Sequence, residues 1–284
     1  MERGIDSVVQ CVYTKAQDEG GDMTVCIATL CNQAKDVVVA SDRMVTATYP
    51  PVEFEHGIPK LEIISPSCIV LTAGDALAHA DLCRSARERI SGLSRPKTAV
   101  ITEEIRKGYV VQRLKKIEER FLASRGWALK DFYEVHVRTM PPDLVVTIDN
   151  QIASYEYGLN IIIAGVDPDE AHIYGIRHPG EVDCYDSIGY HAIGIGAMHA
   201  VSSLITNGCL STTDIKTAVY FTYEAKKNAE SAPGVGKSID MAIIGEKGRQ
   251  DIAPEQISLL EIIYDSRRIR KTEEFEKAID SLPF

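Results

Sequence analysis

The fold is decided by two short apolar segments, residues 24–30 (TVCIATL) and 37–40 (VVVA), which the polar residues 32–35 (NQAK) separate. Each segment has the length and the β-branched content of a strand, and the residues between them are typical of a turn. Adjacent positions are apolar in both segments, so both faces of each strand carry apolar side chains. Strands of this kind are covered on both sides. The two segments therefore predict a hairpin in the interior of the protein.

A second hairpin and two helices follow the first pair of strands. Residues 60–64 (KLEII) and 68–72 (CIVLT) flank a Ser-Pro-Ser turn, which predicts the second hairpin. Apolar residues then recur at helical spacing over residues 76–93 and, on a broader face, over residues 98–125. Threonine is a residue type that caps helices, so we expect Thr98 to cap the second helix.

The second half of the chain predicts four more strands and three more helices. The strands are residues 144–148 (LVVTI), 160–166 (NIIIAGV), 171–176 (AHIYGI) and 239–244 (IDMAII). The helices are residues 194–204, 212–230 (capped by Ser211 or Thr212) and 255–280. Strands and helices come in blocks, which argues against a doubly wound parallel sheet and favours an α+β fold. We expect two central sheets with helices packed outside them, in four layers.

The composition argues against several classes of protein. A hydrophobic content of 45% is too high for a disordered chain, and no run of about 18 apolar residues predicts a membrane-spanning helix. The net charge of −10 argues against a nucleic acid as the main partner. The first 21 residues contain Glu2 and Asp6 but no long apolar stretch, so they do not have the pattern of a secretory signal.

Cysteine and histidine spacing predicts neither disulfides nor a metal site. The seven cysteines are scattered without a CxxC pair, which favours reduced, buried thiols in a cytoplasmic protein. The seven histidines contain no HExxH pair of zinc ligands. We therefore expect no cofactor.

Two glycine-containing stretches resemble nucleotide motifs only in part. Residues 234–238 (GVGKS) lack the earlier glycine of a phosphate-binding loop, because Ser231 stands at that position, and they lie between a predicted helix and a strand. We interpret them as a turn. Residues 194–196 (GIG) lack the third glycine of a dinucleotide fingerprint, since His199 stands there, and they are interpreted as a close-packed helix start.

A series of short motifs resembles the proteasome β-subunits, a family of N-terminal-nucleophile hydrolases. The motifs are Met23-Thr24 at the start of the first strand, Ala40-Ser41-Asp42 after the second strand, Pro59-Lys60-Leu61 before the second hairpin and Ala73-Gly74 at its end. Segments at 161–167, 174–176, 192–196 and 239–244 continue the pattern, so the resemblance covers residues 23–245. The chain is most similar to the bacterial and archaeal proteasome-like proteins, some of which begin directly with Met-Thr.

This resemblance implies a four-layer αββα sandwich and a threonine-type active site. In it, Thr24 supplies the nucleophilic hydroxyl, and its own α-amine, once free, accepts the hydroxyl proton. Lys60 and Asp42 tune this proton transfer electrostatically, and the backbone N–H of Gly74 stabilises the developing oxyanion. An α-amine has an ordinary pKa of about 7.7–8.0, which suits a base near neutral pH.

The resemblance also implies the organisation and the partners of the protein. Residues 1–22 are expected to be a propeptide or a leader foreign to the mature chain, residues 23–250 the proteasome-like domain, and residues 251–284 a C-terminal helical extension. The implied activity is a threonine-type peptidase in a self-compartmentalised homo-oligomeric ring. Its substrates are peptides or unfolded proteins, and an ATPase partner is compatible with this arrangement.

Three differences from the family pattern keep other functions open. Thr24 is internal in the sequence as written, so its nitrogen is an amide and cannot act as a base. Ile195 stands where relatives often carry serine, and residues 230–235 (ESAPGV) replace an Asp-Ser-x-Ser cluster. A catalytically inactive structural subunit is therefore an alternative, as is a small-molecule N-terminal-nucleophile amidase. Another register would place Asp22 at the nucleophile position, but the sequence from Thr24 to Ala28 fits the Met-Thr proteins better.

Overall fold

The structure, a computed structural model, describes residues 24–48, 51–55, 57, 60–74 and 76–280. The predicted leader (residues 1–22), Met23 and Pro59 lie outside the described residues, and so do the last four residues of the predicted C-terminal extension.

Twelve strands are formed within the described part of the chain. They are β1 (Cys26–Cys31), β2 (Asp36–Asp42), β3 (Met44–Thr48), β4 (Pro51–Glu55), β5 (Leu61–Ser65), β6 (Cys68–Gly74), β7 (Leu159–Val166), β8 (Ala171–Arg177), β9 (Glu181–Cys184), β10 (Tyr190–Ile193), β11 (Ile239–Gly245) and β12 (Gly248–Asp251).

Six regular helices of ten or more residues accompany them in the described residues. They are α1 (Ala76–Ile90), α2 (Thr98–Ile117), α3 (Pro142–Ala153), α4 (Ala197–Thr206), α5 (Ile215–Ala229) and α6 (Pro254–Asp280). Irregular helical turns at Glu118–Leu122, Ala123–Arg125, Leu129–Asp131, Phe132–His136 and Val137–Thr139 connect α2 to α3. No helix in the described part of the chain is long and apolar enough to cross a membrane.

The strands form two five-stranded sheets and one separate hairpin. The first sheet has the order β10-β1-β2-β11-β12, the second has the order β5-β6-β7-β8-β9, and β3 pairs with β4. Neighbouring strands are antiparallel throughout. Both predicted hairpins are confirmed: β1 pairs with β2 from Cys26–Ser41 to Cys31–Asp36, and β5 pairs with β6. The protein is thus a mixed helix-and-strand protein with antiparallel sheets, as predicted.

The two sheets share one hydrophobic cluster. Alternate side chains of β1, such as Cys26 and Leu30, lie in this cluster together with Leu71 of β6 and Ile162 of β7. Because successive strand residues point to opposite faces, Ile27 between them lies in a different cluster. The prediction that the first hairpin is covered on both sides is confirmed.

Helices cover the other face of each sheet. Ile27 packs in a cluster with residues of α4, α5 and α6, including Leu204, Tyr223 and Leu260. In the second sheet, Ile163 packs in a cluster with α1 and α2, including Leu82. These clusters bury part of the apolar faces from which the helices were predicted, whereas Val111 and Leu114 of α2 are exposed.

The prediction of a strand at residues 144–148 is wrong, because these residues form part of α3. Ile148 and Ile152, four residues apart, pack in a small separate cluster with Phe132. A short apolar run cannot be assigned to strand or helix from periodicity alone. The better signal was Pro142, which begins this helix at the position where proline is favoured.

Both predicted helix caps are also wrong. The cap of α2 is Lys97, and the Thr98 N–H and hydroxyl each donate to Asp167 Oδ1 at 2.8 Å. The cap of α5 is Asp214, whose carboxylate accepts the N–H of Thr217 at 3.1 Å. In both cases an aspartate competes successfully, because a carboxylate is a strong acceptor for free N–H groups at a helix start.

Candidate functional site

Thr24 and Asp42 meet at the end of the first hairpin. The β1–β2 register pairs Cys26 with Ser41, and the Asp42 N–H donates to the carbonyl of Val25 at 3.2 Å. This pairing brings Thr24, just before β1, beside Asp42 at the end of β2. Thr24 is 3% exposed and Asp42 is fully buried. The Thr24 hydroxyl donates a short hydrogen bond to Asp42 Oδ1.

Lys60 reaches the same point from the second sheet. It directly precedes β5, and its side chain is 16% exposed. Its Nζ donates to Thr24 Oγ1 and, at 2.8 Å, to Asp42 Oδ1. The structure therefore brings together three of the four predicted site residues, which we call the trio: Thr24, Asp42 and Lys60.

The buried Asp42 carboxylate is held by four donors. Its Oδ1 accepts from Thr24, from Lys60 and, at 3.4 Å, from the N–H of Val25. Its Oδ2 accepts the N–H of Gly236 at 2.8 Å. A buried charge is costly unless it is paired and hydrogen-bonded, and here both conditions are met.

Gly236 is a site residue that the sequence analysis missed. It lies in residues 234–238, which form a turn between α5 and β11, so the interpretation of this stretch as a turn is confirmed. The contribution of the turn is a backbone N–H. Every residue except proline has this group, so only the observation that a loop ends next to β2 could have indicated it.

Glu55 at the end of β4 binds the same turn. Its Oε1 accepts the N–H of Lys237 at 2.7 Å and that of Ser238 at 2.9 Å, and its Oε2 accepts the Ser238 hydroxyl. These hydrogen bonds, first that of the Ser238 hydroxyl, lower the pKa of the Glu55 carboxyl. The turn is therefore attached to β4 as well as to Asp42.

The glycines at 194 and 196 pack directly against Thr24. Gly194 has φ +89°, and a Cβ at this position would lie 2.3 Å from the carbonyl oxygen of Thr24. The N–H of Gly196 donates to that same oxygen at 3.3 Å. The interpretation of residues 194–196 as a close-packed helix start is confirmed, since α4 begins at Ala197. The contact also fixes the backbone of Thr24.

Gly74, the fourth predicted site residue, lies at the end of β6 with φ +118°. The hydrogen bonds that join the trio among the described residues do not include Gly74. It is tied to the site region by its strand, because Cys26 Sγ contacts the carbonyl oxygen of Thr72 at 3.5 Å.

A cleft of about 440 Å³ is lined in part by Gly194, the glycine that packs against the Thr24 carbonyl, whereas the three residues of the trio do not line it. Its walls come from β7, β8, β9 and β10, so it lies where one edge of the first sheet meets the second sheet. The rings of Tyr185 and His191 stack there with their centroids 3.7 Å apart. Burial lowers the pKa of His191 to about 4, so this ring is neutral at pH 7. The cleft is thus lined mainly by uncharged groups.

The chemistry of the trio follows from these contacts. A hydroxyl that touches an ammonium group is easier to deprotonate, because the positive charge stabilises the alkoxide. The Asp42 carboxylate holds the lysine charge in place. Among the described residues, no group of three or more histidine, cysteine, aspartate or glutamate side chains is arranged to hold a metal ion.

No family model matches the chain, and a search of curated proteins finds no match either.

Proposed function

We propose that the protein is a threonine-type amide hydrolase of the N-terminal-nucleophile class, most similar in design to proteasome β-subunits. The observation that carries this proposal is the trio, in which a buried threonine hydroxyl contacts both an ammonium group and a carboxylate. The packing of two antiparallel sheets on one another, with helices outside, supports assignment to the αββα sandwich. The domain would extend over residues 23–250.

The proposed reaction is acyl transfer to Thr24. Oγ1 attacks the carbonyl carbon of an amide while the hydroxyl proton passes to the free α-amine of Thr24. The oxyanion forms near the N–H of Gly74, and the tetrahedral intermediate collapses as the amine leaving group departs with a proton. Water, deprotonated by the same α-amine, then hydrolyses the ester and regenerates Thr24. Lys60 stabilises the charge that develops on Oγ1.

The proposed substrate is a peptide or an unfolded protein, as the resemblance to proteasome β-subunits implies. The cleft of about 440 Å³ that Gly194 lines has the volume of a ligand site. A small-molecule amide is the alternative substrate. Turnover of a peptide panel against a panel of small amides separates the two, since a peptidase hydrolyses longer peptides faster.

The first prediction concerns the start of the active chain. In the 284-residue sequence the nitrogen of Thr24 is an amide and is not basic, so activity requires a chain that begins at Thr24. We expect intact mass spectrometry of protein expressed from its own upstream region to show Thr24 as the first residue. We expect this form, and not one that begins at Met1, to hydrolyse a fluorogenic peptide.

If every chain begins at Met1 or at the next residue and the protein still turns over peptide, the Thr24 amine cannot be the base. A correct Thr24 start without any turnover would favour the alternative, an inactive structural subunit. Ile195 supports this alternative, because an isoleucine cannot donate the hydrogen bond that a serine provides to a nearby amine.

The second prediction is a homo-oligomer larger than a dimer. On α6, Leu259, Ile262, Ile263 and Ile269 are each at least half exposed. They recur at helical spacing and form a stripe on the helix, whereas Leu260 lies in the core. Exposed apolar stripes mark contact surfaces. We therefore propose that α6, with the exposed Val111 and Leu114 of α2, contributes to contacts in a ring.

Multi-angle light scattering at micromolar concentration tests this prediction. We expect a mass well above that of a dimer, and a smaller mass when Ile262→Glu and Ile269→Glu are combined. Ile262→Glu alone is compared with the control Thr272→Glu, which adds the same single charge to α6 outside the stripe. A monomeric parent protein would remove the argument for a compartment.

A further inference from the structure

Lys226 of α5 is a fully buried lysine that the proposed reaction does not use. Its side chain is 0% exposed, and its Nζ donates to Glu230 Oε1 at 2.6 Å and to the carbonyl oxygen of Lys237 at 2.7 Å. Burial lowers the pKa of its ammonium group, whereas the hydrogen bond to Glu230 acts in the opposite direction. Lysine is almost never fully buried unless it is paired, and Glu230 provides the pairing here. The second contact, with the carbonyl oxygen of Lys237, connects this buried charge to the turn before β11.

This contact fixes one side of the turn that binds Asp42. The carbonyl of Lys237 accepts from Lys226, while the N–H groups of Lys237 and Ser238 donate to Glu55. Lys226 thus binds a carbonyl oxygen of the turn, and Glu55 binds its N–H groups. We call this arrangement the turn clamp: Lys226, Glu55 and residues 236–238.

The turn clamp places the Gly236 N–H on Asp42. That N–H lies 2.8 Å from Oδ2, and the opposite oxygen, Oδ1, serves Thr24 and Lys60. A carboxylate with donors on both oxygens cannot rotate about its terminal bond without losing one of them. The negative charge of Asp42 also attracts the Lys226 ammonium group across the turn. This attraction favours the position of the turn between the two side chains.

We propose that Lys226 is a positioning residue, which acts through the 236–238 turn to orient the Asp42 carboxylate toward Thr24 and Lys60. The effect on turnover rests on the proposed function, whereas the effect on the turn does not. Misplacement of a catalytic group by about 1 Å can cost about 100-fold in rate. Loss of the clamp should therefore lower kcat without a comparable change in KM.

The test variant is Lys226→Met, which removes the ammonium group and roughly preserves the length of the side chain. The matched control is Lys227→Met, because Lys227 donates to the other oxygen of Glu230 at 2.9 Å and does not contact the turn in the structure. Glu55→Ala is a second test variant. It removes the hydrogen bonds that the exposed Glu55 carboxylate makes to Lys237 and Ser238. It therefore still tests the hold on the turn if Lys226→Met does not fold.

Hydrogen exchange measured on the full chain reports how well the turn is held in place, and it does not depend on catalytic activity. We expect the amides of residues 236–238 to exchange faster in Lys226→Met and in Glu55→Ala, and at the parent rate in Lys227→Met. In the chain that begins at Thr24, we expect Lys226→Met to lower kcat by about 10- to 100-fold, with KM changed less than twofold.

The outcomes separate this inference from the proposed function. Unchanged exchange at residues 236–238 in a folded Lys226→Met would overturn the role of Lys226, and unchanged exchange in Glu55→Ala would overturn the clamp as a whole. Faster exchange with an unchanged kcat, in an active parent, would overturn the positioning role. A parent without turnover would count against the proposed function, and the exchange data would still decide whether Lys226 holds the turn.

Discussion

Replacement of Thr24 with alanine should abolish hydrolysis of a fluorogenic peptide by the chain that begins at residue 24. The substitution removes the only hydroxyl in the trio and leaves Asp42 paired with Lys60, so the fold should persist while the nucleophile is lost. Thr24→Ser keeps both a hydroxyl and an α-amine and should retain measurable turnover. The measurement is the initial rate at equal concentrations of correctly processed protein.

Two cysteine variants serve as controls for this prediction. Cys31→Ala should keep parental turnover, because burial raises the pKa of this thiol to about 12 and leaves almost no thiolate at neutral pH. Cys26→Ser should also remain active, since Cys26 does not stand at the chain end. Hydrolysis that survives in Thr24→Ala would show that another residue is the nucleophile.

Removal of the Lys60 charge should have the second largest effect. Lys60→Met roughly preserves side-chain length but removes the ammonium group that contacts Thr24 Oγ1, so alkoxide formation loses this electrostatic stabilisation. A nearby cation also lowers the pKa of the Thr24 amine and keeps more of it as free base at pH 7. Groups that assist proton transfer contribute about 10²- to 10⁴-fold, and we expect kcat to fall within that range.

A loss of stability must be separated from this loss of rate. Breaking a buried ion pair by removing one partner costs about 3–5 kcal/mol, so Lys60→Met should also lower the melting temperature. Rates are therefore compared well below the melting temperature of the variant.

Lys35→Met, which removes an exposed lysine of the β1–β2 turn, is the control. Asp42→Asn should also reduce kcat, because Lys60 loses the carboxylate that holds its ammonium group in place. A Lys60→Met rate equal to that of Lys35→Met would remove Lys60 from the mechanism.

Local patterns predicted most of the strands and helices that carry the site. The apolar segments of β1 and β2 were found because two-sided burial leaves a continuous apolar run. Short strands were missed, among them β9 and β10, because they contain polar residues and lie at the ends of the sheets. The helix over residues 144–148 was misassigned because its apolar run is equally compatible with a strand, and its environment is a helical cluster outside the sheets.

The site residues also differ in how far local sequence explains their contacts. Thr24 and Asp42 belong to one hairpin, so their proximity follows from the short turn and the pairing of adjacent strands. All of the predicted site residues were inferred through the resemblance. For Lys60 no local pattern offers a second argument, because it precedes a strand of the other sheet. Gly236 and Glu55 were not predicted.

By itself, the sequence determined which segments are buried on both faces and that the first two of them pair as a hairpin. These properties depend on hydrophobic periodicity and on one short turn, which are both local. Only the tertiary structure decided that Lys60 completes the trio, and that Gly236, Glu55 and Lys226 support Asp42. These contacts join segments far apart in the chain, and one of them is made by a backbone N–H that no side chain marks. They exist because both sheets and the α5–β11 turn meet at the buried Asp42 carboxylate. A buried carboxylate is stable only when hydrogen-bond donors surround it, and these donors come from separate segments of the chain.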